Sequence, residues 1–162
     1  MTLTFYTHPQ SRGRITHWML EELGQPYETV VLDYGTTMKA PAYLAINPMG
    51  KVPALVHDRQ AITEGAAIIT YLADDFPAAG LMPANRAAFY RWMFFGAGPV
   101  EAAVTNKALG VQVPPERRGM VGYGSLEAVT DTLAAQLEKT PYLCGDTFSA
   151  ADVYVGSQIG FG

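Results

Sequence analysis

Two hydroxyl-bearing side chains flank the point where the first strand pattern gives way to the first helix pattern, and either can donate to an anionic reacting group. Ser11 follows the strand and stands at the start of the helix, within a residue or so. A hydroxyl there donates in the positive field of a helix N-terminus, and both effects lower the pKa of the group they meet. A plain helix-capping serine fits the same position. Tyr6, near the end of the strand, is the rival donor, and packing its ring in the core is its ordinary structural role. Arg12 and Arg14 add positive potential nearby or simply solvate the helix start. Glu64 and Gly65 follow Thr63, which is read as the cap of a later helix. They therefore occupy a first turn whose unpaired N–H groups and dipole favour an anion. The structural alternative for Glu64 is an acid that stabilises the dipole. His8, His17 and His57 have no ligand spacing with each other or with Cys144, so no metal site is expected.

These residues must be positioned by an α/β unit. Leu3, Phe5 and their neighbours read as a strand ended by His8-Pro9-Gln10. Ile15, Trp18, Met19 and Leu23 fall at helical spacing before the stop at Gly24-Gln25-Pro26. Tyr27 to Leu32 reads as a second strand, and Pro41 to Ile46 as about one helical turn. Val52 to Val56 and Ala61 to Thr63 form a hairpin, after which Ile68, Ile69, Leu72 and Phe76 make one helical stripe ended by Pro77. Beyond a linker, residues 78–83, the pattern is all-helical. Phe89, Trp92 and Met93 begin one long segment, Gly110 to Pro115 break it, and Leu126, Val129, Leu133 and Leu137 line another. Ser149 and Asp152 have capping-box form ahead of Val153, Val155 and Ile159. The domains expected are 1–78 and 84–162.

The totals narrow the function class. At 162 residues, with 49% hydrophobic and 16% charged, the chain has ample material for a packed core and is not disordered. A formal charge of −4 without a Lys/Arg block offers no footprint for nucleic acid or an anionic membrane. Cys144 is the single cysteine, which excludes an internal disulfide and a CxxC pair and fits a reducing compartment. With no signal peptide and no membrane-spanning run in view, a soluble cytoplasmic protein with a small ligand is expected.

Asn47-Pro48-Met49-Gly50-Lys51-Val52-Pro53-Ala54-Leu55, followed by Thr63-Glu64-Gly65-Ala66-Ala67-Ile68-Ile69, resembles the glutathione-site signature of cytosolic glutathione transferases, most closely their bacterial, serine-type or theta-like members. The resemblance implies a thioredoxin-like N-terminal domain followed by an all-helical C-terminal domain, here apparently incomplete, since family members continue for further helices. It implies a cis Val52-Pro53 bond that turns the Val52 main chain outward to pair with glutathione as an added strand. It further implies that Glu64 meets the glutathione amino group, that the turn at Gly65 receives the γ-glutamyl carboxylate, and that Lys39 and Lys51 meet the glycyl carboxylate. Most members carry serine where Gly65 stands, so one hydrogen bond is missing here. Ser11, or alternatively Tyr6, would stabilise the glutathione thiolate. Some of Phe89, Tyr90, Trp92, Phe94 and Phe95 would wall an apolar electrophile pocket, the others being core or interface. The activity implied is conjugation of glutathione to an electrophilic small molecule by a homodimeric detoxification enzyme. Two alternatives on the same site are a non-catalytic glutathione-binding module and a glutathione-dependent disulfide or peroxide reductase.

Overall fold

A computed structural model of the chain describes residues 2–161 and divides into two compact units, Met1–Ala79 and Gly80–Gly162. In the first unit, strand β1 (Leu3–Thr7) alternates buried and half-buried residues, as a strand covered unequally on its two faces must. It pairs in parallel with β2 (Glu28–Val31) and antiparallel with β3 (Ala54–His57), which pairs in turn with β4 (Gln60–Thr63). The sheet order is β2-β1-β3-β4. The parallel β1–β2 pair requires a crossover, supplied by helix α1 (Gly13–Leu23). That helix ends at Gly24, whose φ of 66° is the left-handed conformation a glycine cap provides.

The buried stripe of α1 runs through Ile15, Thr16, Met19, Leu20 and Leu23. Trp18, expected on that stripe, is 40% exposed, and its indole N–H donates to Glu22 at 2.9 Å. The stripe is centred on Thr16, Met19 and Leu23, so position 18 falls off its edge while Leu20 lies on it. Helix α3 (Gly65–Asp75) buries Ile68, Ile69, Leu72 and Ala73 and packs against α1. Phe76 caps its end rather than extending the stripe, and its ring lies 5.5 Å from that of His57. Thr63 is not the N-cap: it is held in the ladder opposite Ala54, and the cap position passes to Glu64. On the other sheet face a 3₁₀ turn (Thr37–Lys39) and the one-turn helix α2 (Pro41–Leu44) bring Met38 and Tyr43 onto Leu32 and Ala54, with Tyr6, Val30, Ile46 and Val52 packed around them.

In the second unit, α4 (Arg86–Phe95) is capped by Asn85, whose side chain accepts from the Ala88 amide at 3.1 Å. The single long segment expected here continues through a π-helical turn (Gly96–Val100) into α5 (Glu101–Ala108). The reason is Pro99, which lacks the N–H that an α-helical turn would use; the wider turn absorbs the missing bond. A 3₁₀ turn (Pro115–Met120) follows within the break. Helix α6 (Leu126–Leu137) buries Val129 and Leu133 and leaves Leu137 48% exposed. Helix α7 (Ala150–Gly160) starts on the expected capping box. Asp152 Oδ2 accepts from the Ser149 amide at 2.9 Å and from its hydroxyl at 2.8 Å. Val153 and Val155 are buried, whereas Ile159 is 49% exposed and Gln158 takes the interior position. Among the described residues no helix is long and apolar enough to cross a membrane.

Candidate functional site

The ladder registers bring separate chain segments to one end of the first unit's sheet. Ala54 stands opposite Tyr6 on one side and Thr63 on the other. The chain leaving β1 towards Ser11, the chain entering β3 through Val52-Pro53, and the chain leaving β4 through Glu64-Gly65 therefore meet at the same edge. The Val52-Pro53 bond is cis, as the resemblance implies. Outside helices and strands, no main-chain hydrogen bond among the described residues engages Val52.

The segment before Val52 is tied down closely. Lys39 Nζ donates to the carbonyls of Met49, at 3.1 Å, and Gly50, at 2.7 Å. The Tyr43 hydroxyl donates to the Lys51 carbonyl, which also accepts from Asn47 Nδ2 at 2.9 Å. Asn47 Oδ1 in turn accepts from the Met49 amide at 3.1 Å. Gly50 has φ 57°, and a Cβ there would lie 2.9 Å from the Met38 carbonyl, so both conformation and space require glycine. Burial pushes the Tyr43 phenol up to about 12, so it remains a proton donor throughout the physiological range. Tyr43 was not singled out from the sequence, and Asn47 entered only as the first residue of the quoted signature. The only local signal was the Asn-Pro-x-Gly turn, since an Asn side chain readily bonds the backbone two residues on.

Ser11 is buried at the strand-to-helix junction. Its hydroxyl donates to the His8 carbonyl at 2.6 Å and accepts from the Gly13 amide at 3.0 Å. The formal cap of α1 is the next residue, Arg12, so Ser11 stands just outside the helix and serves its first amide. The junction is tight: a Cβ on Gly13 would lie 2.1 Å from Thr7 Oγ1. Tyr6 is half-buried on the α2 face, its ring 5.6 Å from that of Tyr43. Alternation along β1 thus separates Tyr6 from Phe5, which lies on the opposite face with its ring 6.3 Å from that of His17 in α1. Glu64 is exposed at the N-cap of α3 with φ 69°, an uncommon conformation for a non-glycine residue, and its side chain is not spent on capping. Gly65 opens the helix behind it, and Lys51 is exposed.

The aromatic candidates and Cys144 belong to the second unit. Phe89 and Trp92 are core residues of the second unit, whereas Tyr90 is 45% and Phe94 72% exposed. Cys144 is half-buried, and desolvation raises its thiol pKa. Among the described residues no group of His, Cys, Asp and Glu side chains is placed to hold a metal ion.

Comparison with known proteins bears on this geometry. Residues 12–75 match the family model of the glutathione S-transferase N-terminal domain. The glutathione S-transferase GST-4.5 of Xanthomonas campestris pv. campestris is 32% identical, over 94% of this chain and 79% of its own length. Among solved structures, the bacterial glutathione transferase BphK in its ternary complex is 32% identical with a TM-score of 0.79, covering 98% of this chain and 82% of that one. A sphingomonad glutathione S-transferase complexed with glutathione is 30% identical with a TM-score of 0.73, covering 97% and 81% respectively.

Proposed function

The chain belongs to the glutathione S-transferase family and is a transferase, and from that premise we propose that it binds glutathione at the convergent sheet edge and joins its sulfur to an electrophilic small molecule. The observation that supports the proposal is the register pairing Ala54 with Thr63, which brings the chain entering β3 through Val52-Pro53 and the chain leaving β4 through Glu64-Gly65 to the same end of the sheet. The free main chain of Val52 pairs with the cysteinyl part of the tripeptide as an added strand. The amide of Gly65, at the positive end of the eleven-residue helix α3, takes the γ-glutamyl carboxylate. Exposed Glu64 meets the amino group, and exposed Lys51 meets the glycyl carboxylate.

The thiol must lose its proton to solvent water before it can attack, because the thiolate is the nucleophile. Ser11 is our candidate for stabilising it. In the resting geometry its O–H donates to the His8 carbonyl, and rotation about the C–O bond redirects that donor to the sulfur. The Gly13 amide continues to donate to Oγ, polarising the hydroxyl and strengthening it as a donor. The thiolate then forms a bond to carbon while the bond from that carbon to its leaving group breaks. Tyr6 is the weaker candidate, because its ring is packed against Tyr43 on the α2 face. We further propose a homodimer acting in the reducing cytoplasm. Tyr90 and Phe94, exposed one turn apart on α4, support the first, and a single cysteine supports the second. Light scattering at a protomer mass would refute the dimer.

The test is conjugation of a generic electrophile by wild type and Ser11→Ala. Wild type turns over, and the variant loses about 10²-fold or more in kcat while the pKa of bound glutathione rises. An inactive wild type would sink the conjugation reading; a fully active variant would remove Ser11 from the mechanism.

A further inference from the structure

We infer that Lys39, Tyr43 and Asn47 are positioning residues for the glutathione site, holding the carbonyls of Met49, Gly50 and Lys51 so that the Val52 main chain is set before any ligand arrives. The inference rests on the glutathione reading above. Three consecutive loop carbonyls, those of Met49, Gly50 and Lys51, are each taken by a side-chain donor. Those donors come from the short 3₁₀ turn, from α2 and from Asn47 itself. Tyr43 and Asn47 are both 3% exposed, so their polar groups must be paired within the protein, and they are paired with this loop. Asn47 spends its donor on Lys51 and its acceptor on Met49, spanning the loop with one rigid amide. With the peptide planes on both sides of Gly50 and Lys51 fixed, little rotational freedom remains in the chain entering Val52.

A ligand that docks by main-chain pairing gains from this fixity, because ordering a loose loop on binding subtracts from affinity. The geometry also assigns Lys39 a role different from the one the resemblance implies. An ammonium has three donors, and two of these are engaged by carbonyls of the loop. Lys39 thus acts on the ligand through the loop, and its positive charge compensates the carbonyl dipoles gathered around it. Gly50 makes this approach possible, since a Cβ there would lie 2.8 Å from Lys39 Nζ.

The test measures dissociation constants of the full chain for glutathione and for its glycyl ethyl ester by calorimetry, with steady-state kinetics alongside. The variants are Lys39→Met, Tyr43→Phe and Asn47→Asp. Each is expected to raise the glutathione dissociation constant and KM by about threefold to tenfold, the worth of one or two hydrogen bonds, with kcat at saturation retained. Lys39→Met is expected to weaken acid and ester by the same factor. Tyr43→Phe keeps the ring packed against Tyr6 and removes only the hydroxyl, so it reports even if Asn47→Asp fails to fold. If Lys39→Met penalises the acid but not the ester, Lys39 touches the carboxylate directly and its positioning role is overturned. If Tyr43→Phe lowers the thermal midpoint but leaves the dissociation constant at the wild-type value, the network is merely structural. A wild type that binds neither ligand overturns the glutathione reading itself, whereas a binding wild type with unaltered variants overturns only the inference.

Discussion

Gly65 offers the proposed ligand an amide and nothing else. It is the first residue of α3, so its N–H is among those a helix cannot pair internally, and an incoming carboxylate completes it. A hydroxyl at the same point would add a charge-assisted hydrogen bond, worth about 1.5 to 3 kcal/mol. Gly65→Ser is therefore expected to lower the dissociation constant for glutathione by about tenfold or more in calorimetry. Serine is also better suited than glycine to a helix start beside a fixed cap, so folding should not suffer. An unchanged constant would mean that the γ-glutamyl carboxylate does not reach this amide. The neighbouring Glu64 shows why the site needs its surroundings. Its φ of 69° is held between β4 on one side and α3 on the other, and its exposed side chain makes no capping bond.

Among the elements, α7 is held at its start by a single side chain. Asp152 accepts from the Ser149 amide and hydroxyl with one oxygen and from the Leu143 amide, at 2.8 Å, with the other. It thus caps its own helix and anchors the preceding loop. Asp152→Ala leaves partly buried donors unpaired and is expected to destabilise the protein by about 2 to 4 kcal/mol in urea unfolding, more than a simple cap. Asp152→Asn keeps the acceptor oxygen towards one partner and should recover part of that loss. The capping box was legible because it is local: residue types three apart, ahead of an apolar run. The hairpin and the helix α3 were legible for the same reason. The cap of α3 was misplaced by one residue, because nothing in Thr63-Glu64 declares that the ladder with Ala54 extends through Thr63. The clamp of Lys39, Tyr43 and Asn47 was hidden because its donors and acceptors lie up to 11 residues apart and meet only after α2 packs on the sheet. The π turn was hidden because the pattern on either side of Pro99 reads as one helix, and nothing local declares the wider turn.

Over the whole molecule, the distribution of sulfur chemistry separates conjugation from thiol-disulfide exchange by the chain itself. The chain contains one cysteine, so it can form no internal disulfide, and a dithiol mechanism has no second thiol to use. Cys144 is also a poor nucleophile. It is half-buried, and desolvation outweighs a hydrogen bond with Ser149 and, together with the Asp152 charge, raises its pKa, which depletes the thiolate at neutral pH. On the conjugation reading proposed above, the reactive sulfur is brought in by glutathione, and the protein's part is to bind and ionise it. Two outcomes are expected. A chromogenic disulfide reagent should label the native protein slowly, at least tenfold slower than free cysteine by the loss of thiolate and access together, and should reach one thiol per chain on unfolding in denaturant. Cys144→Ser should leave conjugation within about twofold of wild type, since the hydroxyl fills nearly the same space and no step passes through the thiol. Rapid native labelling accompanied by loss of activity would place a protein thiol in the reaction and remove the assignment of the nucleophile to glutathione.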